Sequence, residues 1–408
     1  MPIKKNKQFY KFASYGFLKN MRFFEPFMIL FFRQMGFSFL QIGILFSVRE
    51  VSTNLLELPT GFIADLYGRK LSMVFSMISY IFSFLIFFFF PQFFIYAIAM
   101  ILFGMGEALR SGTHKAMILE YLRINDVLDT RAEYYGSTRA ASQMGSALNS
   151  LIAAGIVFWS GDYKIVFLAA LIPYMGNLVN LATYPNELDG NIKNKSKKET
   201  FKDFFSIFKN RYSLKGILNS TVFDAFFKTI SVYLQPVLQG LALSIPLFLD
   251  FENEERTALV VGIVYFFIYL ATSYASKNAD KIRKRVGKIE SAINVTFIIG
   301  AGLVVLSGVF QYLDIKVITV VMFMGLYVLQ NLRRPLNISY ISEKISHRTM
   351  ASGLSAESQL KTILMAVFAP IIGFLADSIG IASALVLSGL IMSGLYILVR
   401  LKKNEKKG

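Results

Sequence analysis

The chain has 408 residues, of which 54% are hydrophobic and 17% are charged, and its formal net charge is +17. A soluble domain usually has about 25% charged residues, so this composition argues against a water-soluble protein. The sequence has no cysteine and only two histidines, which excludes thiolate chemistry and a histidine-rich metal site; we predict no metal and no cofactor.

Apolar segments of membrane-spanning length recur along the whole chain, and a spanning helix needs about 20 mostly apolar residues. The first segment follows a basic start without a cleavage site, so we expect an uncleaved insertion signal. The sequence therefore predicts an all-α integral membrane protein with twelve transmembrane helices. In chain order these are residues 12–33, 38–60, 71–90, 93–122, 133–159, 164–184, 214–240, 257–276, 289–312, 316–343, 350–377 and 381–400.

One long polar connection, residues 185–213, divides the chain into two halves of six predicted helices each. We predict a first six-helix bundle at 1–190, a cytoplasmic central loop at 191–213 and a second bundle at 214–408. The halves also repeat in sequence, because Leu109-Arg110 in predicted helix 4 corresponds to Leu332-Arg333 in predicted helix 10. Two pseudo-symmetric bundles follow, which is a known plan of membrane transporters.

The basic residues outside the predicted spans lie almost entirely on one side of the membrane. The connections on the other side contain only Lys164, Arg256 and Lys316. The positive-inside rule then places both termini in the cytoplasm. Because the charge is spread over many short loops and not gathered on one soluble domain, it argues against nucleic-acid binding.

A conspicuous motif follows predicted helix 2 and reads Gly61-Phe-Ile-Ala-Asp65-Leu-Tyr-Gly68-Arg69-Lys70. It resembles the signature loop of the Major Facilitator Superfamily, and the resemblance extends over essentially all of the chain. After predicted helix 8 a weaker copy, 279–285, has an arginine in place of the second glycine.

The resemblance implies a cytoplasmic gate that holds the two halves together. Gly68 permits the tight turn, and Asp65 is expected to accept N–H bonds at the N-terminus of helix 11. Arg69 is expected to pair with Glu120 at the cytoplasmic end of helix 4. The predicted gate residues are Gly61, Asp65, Gly68, Arg69, Lys70 and Glu120.

Charged residues inside a membrane are costly and usually functional. In the family, helices 1, 4, 7 and 10 line the central cavity, and here they hold most of the intramembrane charge. Arginine forks bind carboxylate or phosphate well, and buried acids suit proton coupling. We predict substrate binding by Arg22, Arg110, Lys228 and Arg333, proton coupling by Glu25, Glu107 and Asp224, and accessory roles for His114 and Arg139.

The spacing of these charges also predicts pairs on single helix faces, because residues three or four apart are neighbours. Arg22–Glu25, Glu107–Arg110 and Asp224–Lys228 have this spacing. Other membrane charges are interpreted as structural ion pairs; these are Arg49, Glu50, Glu57, Glu357 and Lys361. His114, a single histidine one turn from Arg110, is also compatible with a structural role.

The function predicted from the sequence is secondary active transport by alternating access, coupled to protons, of a small organic anion or zwitterion. Multidrug or toxicant efflux by proton antiport is the alternative, although the Gly-Pro element of the drug antiporters is missing from predicted helix 5. A non-transporting solute sensor is a third hypothesis. No nucleotide-binding loop supports an enzyme or an ATP-driven pump. We expect a monomer in a bacterial plasma membrane, whose partners are its solute, H⁺ and lipid.

Overall fold

The computed structural model describes residues 5–189, 211–246, 249–286, 288–344 and 350–401. Regular structure within these ranges is helical throughout, as predicted for an all-α chain. Most of the predicted central loop lies outside the described residues. The helices are α1 Lys7–Lys19, α2 Met28–Gln34, α3 Phe39–Tyr67, α4 Arg69–Phe89, α5 Phe93–Arg110, α6 Thr113–Ile124, α7 Arg131–Ser160, α8 Ile165–Ala182, α9 Arg211–Ser231, α10 Leu234–Ser244, α11 Asn253–Val286, α12 Ile289–Tyr312, α13 Lys316–Lys344 and α14 Met350–Val399.

Three of the predicted helices are interrupted where continuous helices were expected. Predicted helix 1 separates into α1 and α2, and a short 3-10 turn with Pro26 leads into the second part. Predicted helix 4 separates into α5 and α6 at Gly112, whose φ of +72° lies in the left-handed region that favours glycine. Predicted helix 7 separates into α9 and α10. The interruptions lie in the helices that were predicted to hold the functional charges.

The predicted helices 11 and 12 are joined in α14, which contains a turn at Gly380 with φ +82°. Within the described residues, seven helices are long and apolar enough to cross a membrane. One of them, Ala356–Val399, covers most of two predicted spans. Predicted helices 1, 2, 7 and 10 are absent from this set, so the count of twelve spans stays a prediction.

Large apolar side chains cover much of the outer surface. Trp159 is 89% exposed, Ile172 76% and Phe82 56%. A water-soluble protein rarely exposes such large apolar side chains over so wide an area. A hydrocarbon solvent explains this surface, because the bilayer core provides apolar contact for such side chains.

The described helices divide into two compact units. Unit 1 contains α1, α2, most of α3, α4 to α8 and the first part of α11. Unit 2 contains the start of α3 (38–47), α9, α10, the rest of α11 and α12 to α14. The predicted boundaries at 190 and 214 are not tested by this division and stay a prediction.

In unit 1, α4 packs against α5 and α8, and α1 packs against α7 and α8. Serine hydroxyls of α4 donate to carbonyl oxygens of α5: Ser72 to Leu109 at 2.9 Å and Ser76 to Gly106 at 2.7 Å. Such small polar residues let two membrane helices approach closely while every donor finds an acceptor. This close approach fixes the end of α5, where the charged residues lie.

In unit 2, α14 packs against α9 and α12, and α13 packs against α9 and α12. The start of α3 also belongs here, because both carboxylate oxygens of Asp377 accept its first N–H groups, from Phe39 at 2.9 Å and Leu40 at 2.7 Å. A carboxylate is favourable at a helix N-terminus, where unpaired N–H groups and the positive end of the dipole meet it.

Candidate functional site

A chain of ion pairs lies at the interruptions of predicted helices 1 and 4. Arg22, between α1 and α2, places Nη1 3.0 Å from Oε1 of Glu25 and Nη2 2.5 Å from Oε1 of Glu107. The other oxygen of Glu107 contacts Nη2 of Arg110, the last residue of α5. Glu107 therefore bridges two arginines, and the structure brings together four of the residues predicted from the sequence.

Aromatic side chains surround this chain of charges, which we call the arginine cluster (Arg22, Glu25, Glu107 and Arg110). The Nε of Arg110 donates to the Tyr80 hydroxyl at 3.1 Å, and the Arg22 guanidinium lies 5.7 Å from the centre of the Phe103 ring. Aromatic faces and hydroxyls retain cations in an environment with little water. Glu25 is the most accessible of the four, with 46% of its side chain exposed.

Lys19 is a cation that the sequence analysis missed. It ends α1, its carbonyl accepts from the Tyr174 hydroxyl at 3.3 Å, and its charge acts on the arginine cluster. The cluster itself contains two arginines and two carboxylates, which balance in formal charge, and Lys19 adds a basic side chain near them. A lysine at the end of a helix commonly interacts with the negative end of the helix dipole, so its position alone does not indicate a functional role. The interruption of the helix after residue 19 brings it close to the cluster.

His114 lies in an aromatic box instead of the arginine cluster. Its ring stacks on Tyr15 with centroids 3.9 Å apart and meets Phe12 edge-on at 5.5 Å. Its Nε2 lies 3.4 Å from the hydroxyl of Tyr184. The surroundings favour the structural interpretation of His114.

The acid and the arginine predicted in the second half both have neutral partners. Asp224 of α9 accepts from Nε2 of Gln330 on α13 at 2.7 Å. Arg333 donates from Nη1 to the Ile293 carbonyl at 2.5 Å and from Nη2 to Oδ1 of Asn219 at 2.9 Å. Asp224 and Arg333 thus lie in one polar seam between α9 and α13.

The surroundings of Arg333 differ from those expected of a substrate-binding residue. Its side chain is fully buried, with 0% exposure, and the Phe223 ring lies 4.0 Å from its guanidinium carbon. In this geometry Arg333 does not reach a solvent-exposed surface, and contact with a solute would require the side chain to move. Its predicted role in binding substrate stays a prediction.

The remaining predicted residues are more accessible. Lys228 on α9 and Arg139 on α7 are both exposed. In predicted helix 2, Arg49 pairs with the adjacent Glu50 at 2.8 Å, within one helix and not between helices. Glu357 differs from the expectation of a structural ion pair, because within the described chain its carboxylate bonds to the Ser220 hydroxyl and forms no ion pair with Lys361.

The hairpin between α3 and α4 contains the tight turn that was predicted at Gly68. Gly68 has φ +96°, and α4 begins immediately after it. Arg69 Nη1 lies 3.9 Å from Oε2 of Glu120, the predicted partner. Gly61 is exposed, and a Cβ there would meet nothing within 4 Å. The side chain of Asp65 lies outside the described residues, so its predicted contact stays a prediction.

Asp189 is a second partner of this hairpin that the sequence analysis did not identify. Its Oδ1 accepts from the Lys70 amide at 2.7 Å, and a Cβ on Gly68 would lie 2.7 Å from its Oδ2. Lys70 Nζ also donates to Oδ1 of Asn186 at 3.0 Å. The turn after α8 thus provides the carboxylate that caps α4. The residues around Asp189 in the sequence do not predict this tertiary contact.

Asp189→Ala is expected to lower the free energy of unfolding by about 1 kcal/mol, because it removes the capping carboxylate from the N-terminus of α4. Unfolding of the purified protein in mixed micelles measures the change. Glu187→Ala is the matched control, since Glu187 lies in the same turn and is exposed. Equal stability of the two variants would contradict the capping role.

Comparison with known proteins agrees with this architecture. The sequence profile of the Major Facilitator Superfamily matches residues 13–358. YxaM of Bacillus subtilis, an uncharacterized MFS-type transporter, is 25% identical over 250 residues, 58% of this chain and 59% of YxaM. The match therefore spans less than two thirds of that relative. MJ1560 of Methanocaldococcus jannaschii, also an uncharacterized MFS-type transporter, is 24% identical over 386 residues, 93% of this chain and 94% of MJ1560.

Solved structures show the same fold at low identity. The nucleoside transporter NupG superposes with a TM-score of 0.78 and 12% identity over 98% of this chain and 100% of NupG. A POT family transporter in complex with 5-aminolevulinic acid superposes with a TM-score of 0.69 and 14% identity over 96% and 93%. Since the superfamily profile covers most of the sequence and the fold agrees, the chain belongs to the Major Facilitator Superfamily and is an integral membrane transporter, not an enzyme.

Proposed function

We propose that this transporter moves a small organic anion or zwitterion by proton-coupled alternating access. The observation that carries the proposal is the arginine cluster, where Glu107 bridges Arg22 and Arg110. Two guanidinium groups that share one carboxylate can attract a solute whose anionic group takes the place of that carboxylate. Guanidinium groups recognise carboxylate or phosphate through paired N–H donors.

In the proposed mechanism the solute competes with the protein's own acids for the arginines. Arg22 and Arg110 are now held by Glu25 and Glu107, so an arriving anion replaces a carboxylate as their partner. A proton taken up by an acid removes its negative charge and frees the arginines to bind the solute. Exchange of partners of this kind links proton movement to solute movement without any covalent step.

The second half contributes Asp224 as a further acid and Lys228 as an exposed cation. Asp224 accepts from an amide instead of a guanidinium, so its protonation breaks no ion pair among its described contacts. Arg139 is proposed as an accessory cation. We assign no solute contact to Arg333 in the conformation described, because its side chain is fully buried and both of its Nη atoms donate to protein acceptors.

The membrane arrangement is part of the same proposal. Twelve spans and cytoplasmic termini are proposed from the hydropathy and the basic residues of the sequence. A bacterial plasma membrane is proposed as their location. The hairpin residues Gly61 to Lys70, with Glu120, are proposed as the cytoplasmic gate. The ion pair of Arg69 and the cap from Asp189 support this assignment, since both tie the hairpin to neighbouring helices.

Uptake into proteoliposomes with an imposed pH gradient tests the proposal. The panel includes 5-aminolevulinate, a dipeptide, a nucleoside and a cationic amphiphile, because the solved neighbours and the efflux alternative suggest these classes. We expect flux of an anionic or zwitterionic solute that follows the gradient. Flux confined to the cationic amphiphile would favour efflux of toxicants, and flux that ignores the gradient would contradict proton coupling.

Arg110→Gln is expected to reduce uptake of the transported anion at least about tenfold, the effect of losing roughly 1.4 kcal/mol of binding. Lys115→Gln is the matched control, because Lys115 is exposed on the adjacent helix α6. Unchanged uptake by Arg110→Gln would remove the arginine cluster from the solute site. Initial rates over a range of solute concentrations separate weaker binding from slower turnover.

A further inference from the structure

The acids of the two halves differ in their partners. Glu107 contacts two arginines, Glu25 contacts one, and Glu50 contacts Arg49. Glu357 on α14 instead bonds through Oε1 to the hydroxyl of Ser220 on α9. A carboxylate between guanidinium groups is stabilised as an anion, whereas one with a neutral hydroxyl lacks that compensation.

The contacts around Glu357 suit both of its protonation states. Ser220 is 2% exposed, and its oxygen accepts from Nδ2 of Asn337 on α13 at 3.2 Å. One lone pair and the hydroxyl hydrogen of Ser220 remain, so it can donate to an ionised Glu357 or accept from a protonated one. The amide of Asn337 fixes the hydroxyl oxygen in place while its hydrogen turns.

Three charged groups near Glu357 act on it without bonding to it. They are Asp224 on α9, Arg334 on α13 and Lys361 on its own helix α14. Within the described residues none of them forms an ion pair with Glu357. The two cations are therefore available to attract an ionised carboxylate, and Asp224 opposes its ionisation.

We propose that Glu357 is a second group that binds and releases a proton in the transport cycle, in addition to the acids of the arginine cluster, with Ser220 and Asn337 as its hydrogen-bonding partners. The inference rests on the proposed function, since it assigns a proton of that transport cycle. In the step, a proton from water on one side of the membrane forms an O–H bond with the Glu357 carboxylate. The same bond breaks on the other side and returns the proton to water, so charge and atoms balance.

The assignment gives the two halves different roles, with solute binding in the first half and proton binding at Glu357 in the second. The arginine cluster provides the guanidinium groups that an anion needs, and its acids are engaged with arginines. Glu357 bonds to the neutral hydroxyl of Ser220, so gaining a proton breaks no ion pair among its described contacts. Burying a charge with few compensating contacts is costly, and a proton relieves that cost each time the residue leaves water.

Infrared difference spectroscopy of the reconstituted protein tests proton binding without any solute. We expect a pH-dependent carboxyl C=O band from a protonated acid, which shifts in D₂O and disappears in Glu357→Gln. The band persists in Glu107→Gln, whose acid is held by two arginines. A band lost in Glu107→Gln and kept in Glu357→Gln would overturn the assignment.

Ser220→Ala retains the Glu357 carboxyl group and changes only its hydrogen-bonding partner. It therefore tests the assignment even if the Glu357→Gln variant does not fold. Removing the hydroxyl that donates to the carboxylate is expected to move the midpoint of the band about one pH unit to the alkaline side. Thr221→Ala on the same helix is the control, because its hydroxyl bonds to the Ile217 carbonyl instead. A midpoint that stays in place in Ser220→Ala would overturn the hydrogen-bonding role.

Solute flux then separates this inference from the proposed function. In Glu357→Gln, uptake of the panel solute that the unmodified protein transports is expected to lose its response to the pH gradient. Uptake in Glu357→Gln that still follows the gradient would overturn the Glu357 assignment and leave proton-coupled transport intact. If the unmodified protein binds the proton but its uptake ignores the gradient, the proposed coupling fails while protonation of Glu357 stands.

Discussion

Glu107→Gln is expected to lower the free energy of unfolding by about 3 kcal/mol, because it leaves two partly buried arginines without their shared carboxylate. Glutamine has nearly the same shape, so packing around α5 is preserved and the change isolates the charge. Glu25 still pairs with Arg22 at 3.0 Å, and Arg110 retains its bond to the Tyr80 hydroxyl but has no ion pair left among its described contacts. Unfolding in mixed micelles, monitored by helical circular dichroism, gives the difference.

The double variant Glu107→Gln/Arg110→Met is the control for this result. Removing one of the two uncompensated cations is expected to recover at least half of the lost stability, a coupling typical of residues that share a network. If the second substitution adds its own full cost, the two side chains do not act as a pair. A single variant within about 0.5 kcal/mol of the unmodified protein would likewise contradict the bridging role of Glu107.

The local part of the arginine cluster was predictable from spacing. Residues three apart on a helix are neighbours, and Glu107–Arg110 forms such a contact on α5. The predicted ion pair between Arg22 and Glu25 also forms, although these residues do not lie on a continuous α-helix, because a 3-10 turn begins at Glu25. The bridge from Arg22 to Glu107 joins residues 85 positions apart and depends on how α5 packs, which no spacing rule contains.

The interruptions of the helices were only partly visible in the sequence. Pro26 and Gly112 are residues that commonly end or break helices, yet apolar periodicity on both sides favoured continuous spans. The interruption between α9 and α10 falls at Val232-Tyr233, where β-branched and aromatic residues give no such signal. Hydropathy predicts which segments enter the membrane, but it does not predict where a helix within such a segment is interrupted by a turn.

Side-chain partners in the second half were less predictable. The spacing of Glu357 and Lys361 favoured an ion pair, but Ser220 on another helix is closer to the acid. Asp224 similarly bonds to Gln330. A hydroxyl or an amide inside an apolar helix has no periodic signature, so polar seams of this kind emerge only when helices are packed together.

Arg333→Lys is expected to be more destabilising than Arg333→Met, the reverse of the order that chemical similarity suggests. The guanidinium bonds to Asn219, the Ile293 carbonyl and Thr296 through a planar set of donors. Lysine keeps the buried charge but cannot reproduce this geometry, and we expect a loss of about 2–3 kcal/mol in unfolding free energy. Methionine removes the charge and retains contact with Phe223.

Arg333→Met is expected to stay within about 1 kcal/mol of the unmodified protein, because within the described chain no carboxylate contacts Arg333 and its removal strands no anion. Arg334→Met and Arg334→Lys are matched controls on the next, exposed residue, and both should change stability by less than about 0.5 kcal/mol. A stable Arg333→Met that has lost solute uptake would support the substrate-binding role predicted from the sequence. A stable variant with unimpaired uptake would restrict Arg333 to packing α13 against α9 and α12, and a large loss of stability in Arg333→Met would mean that the charge itself holds this seam together.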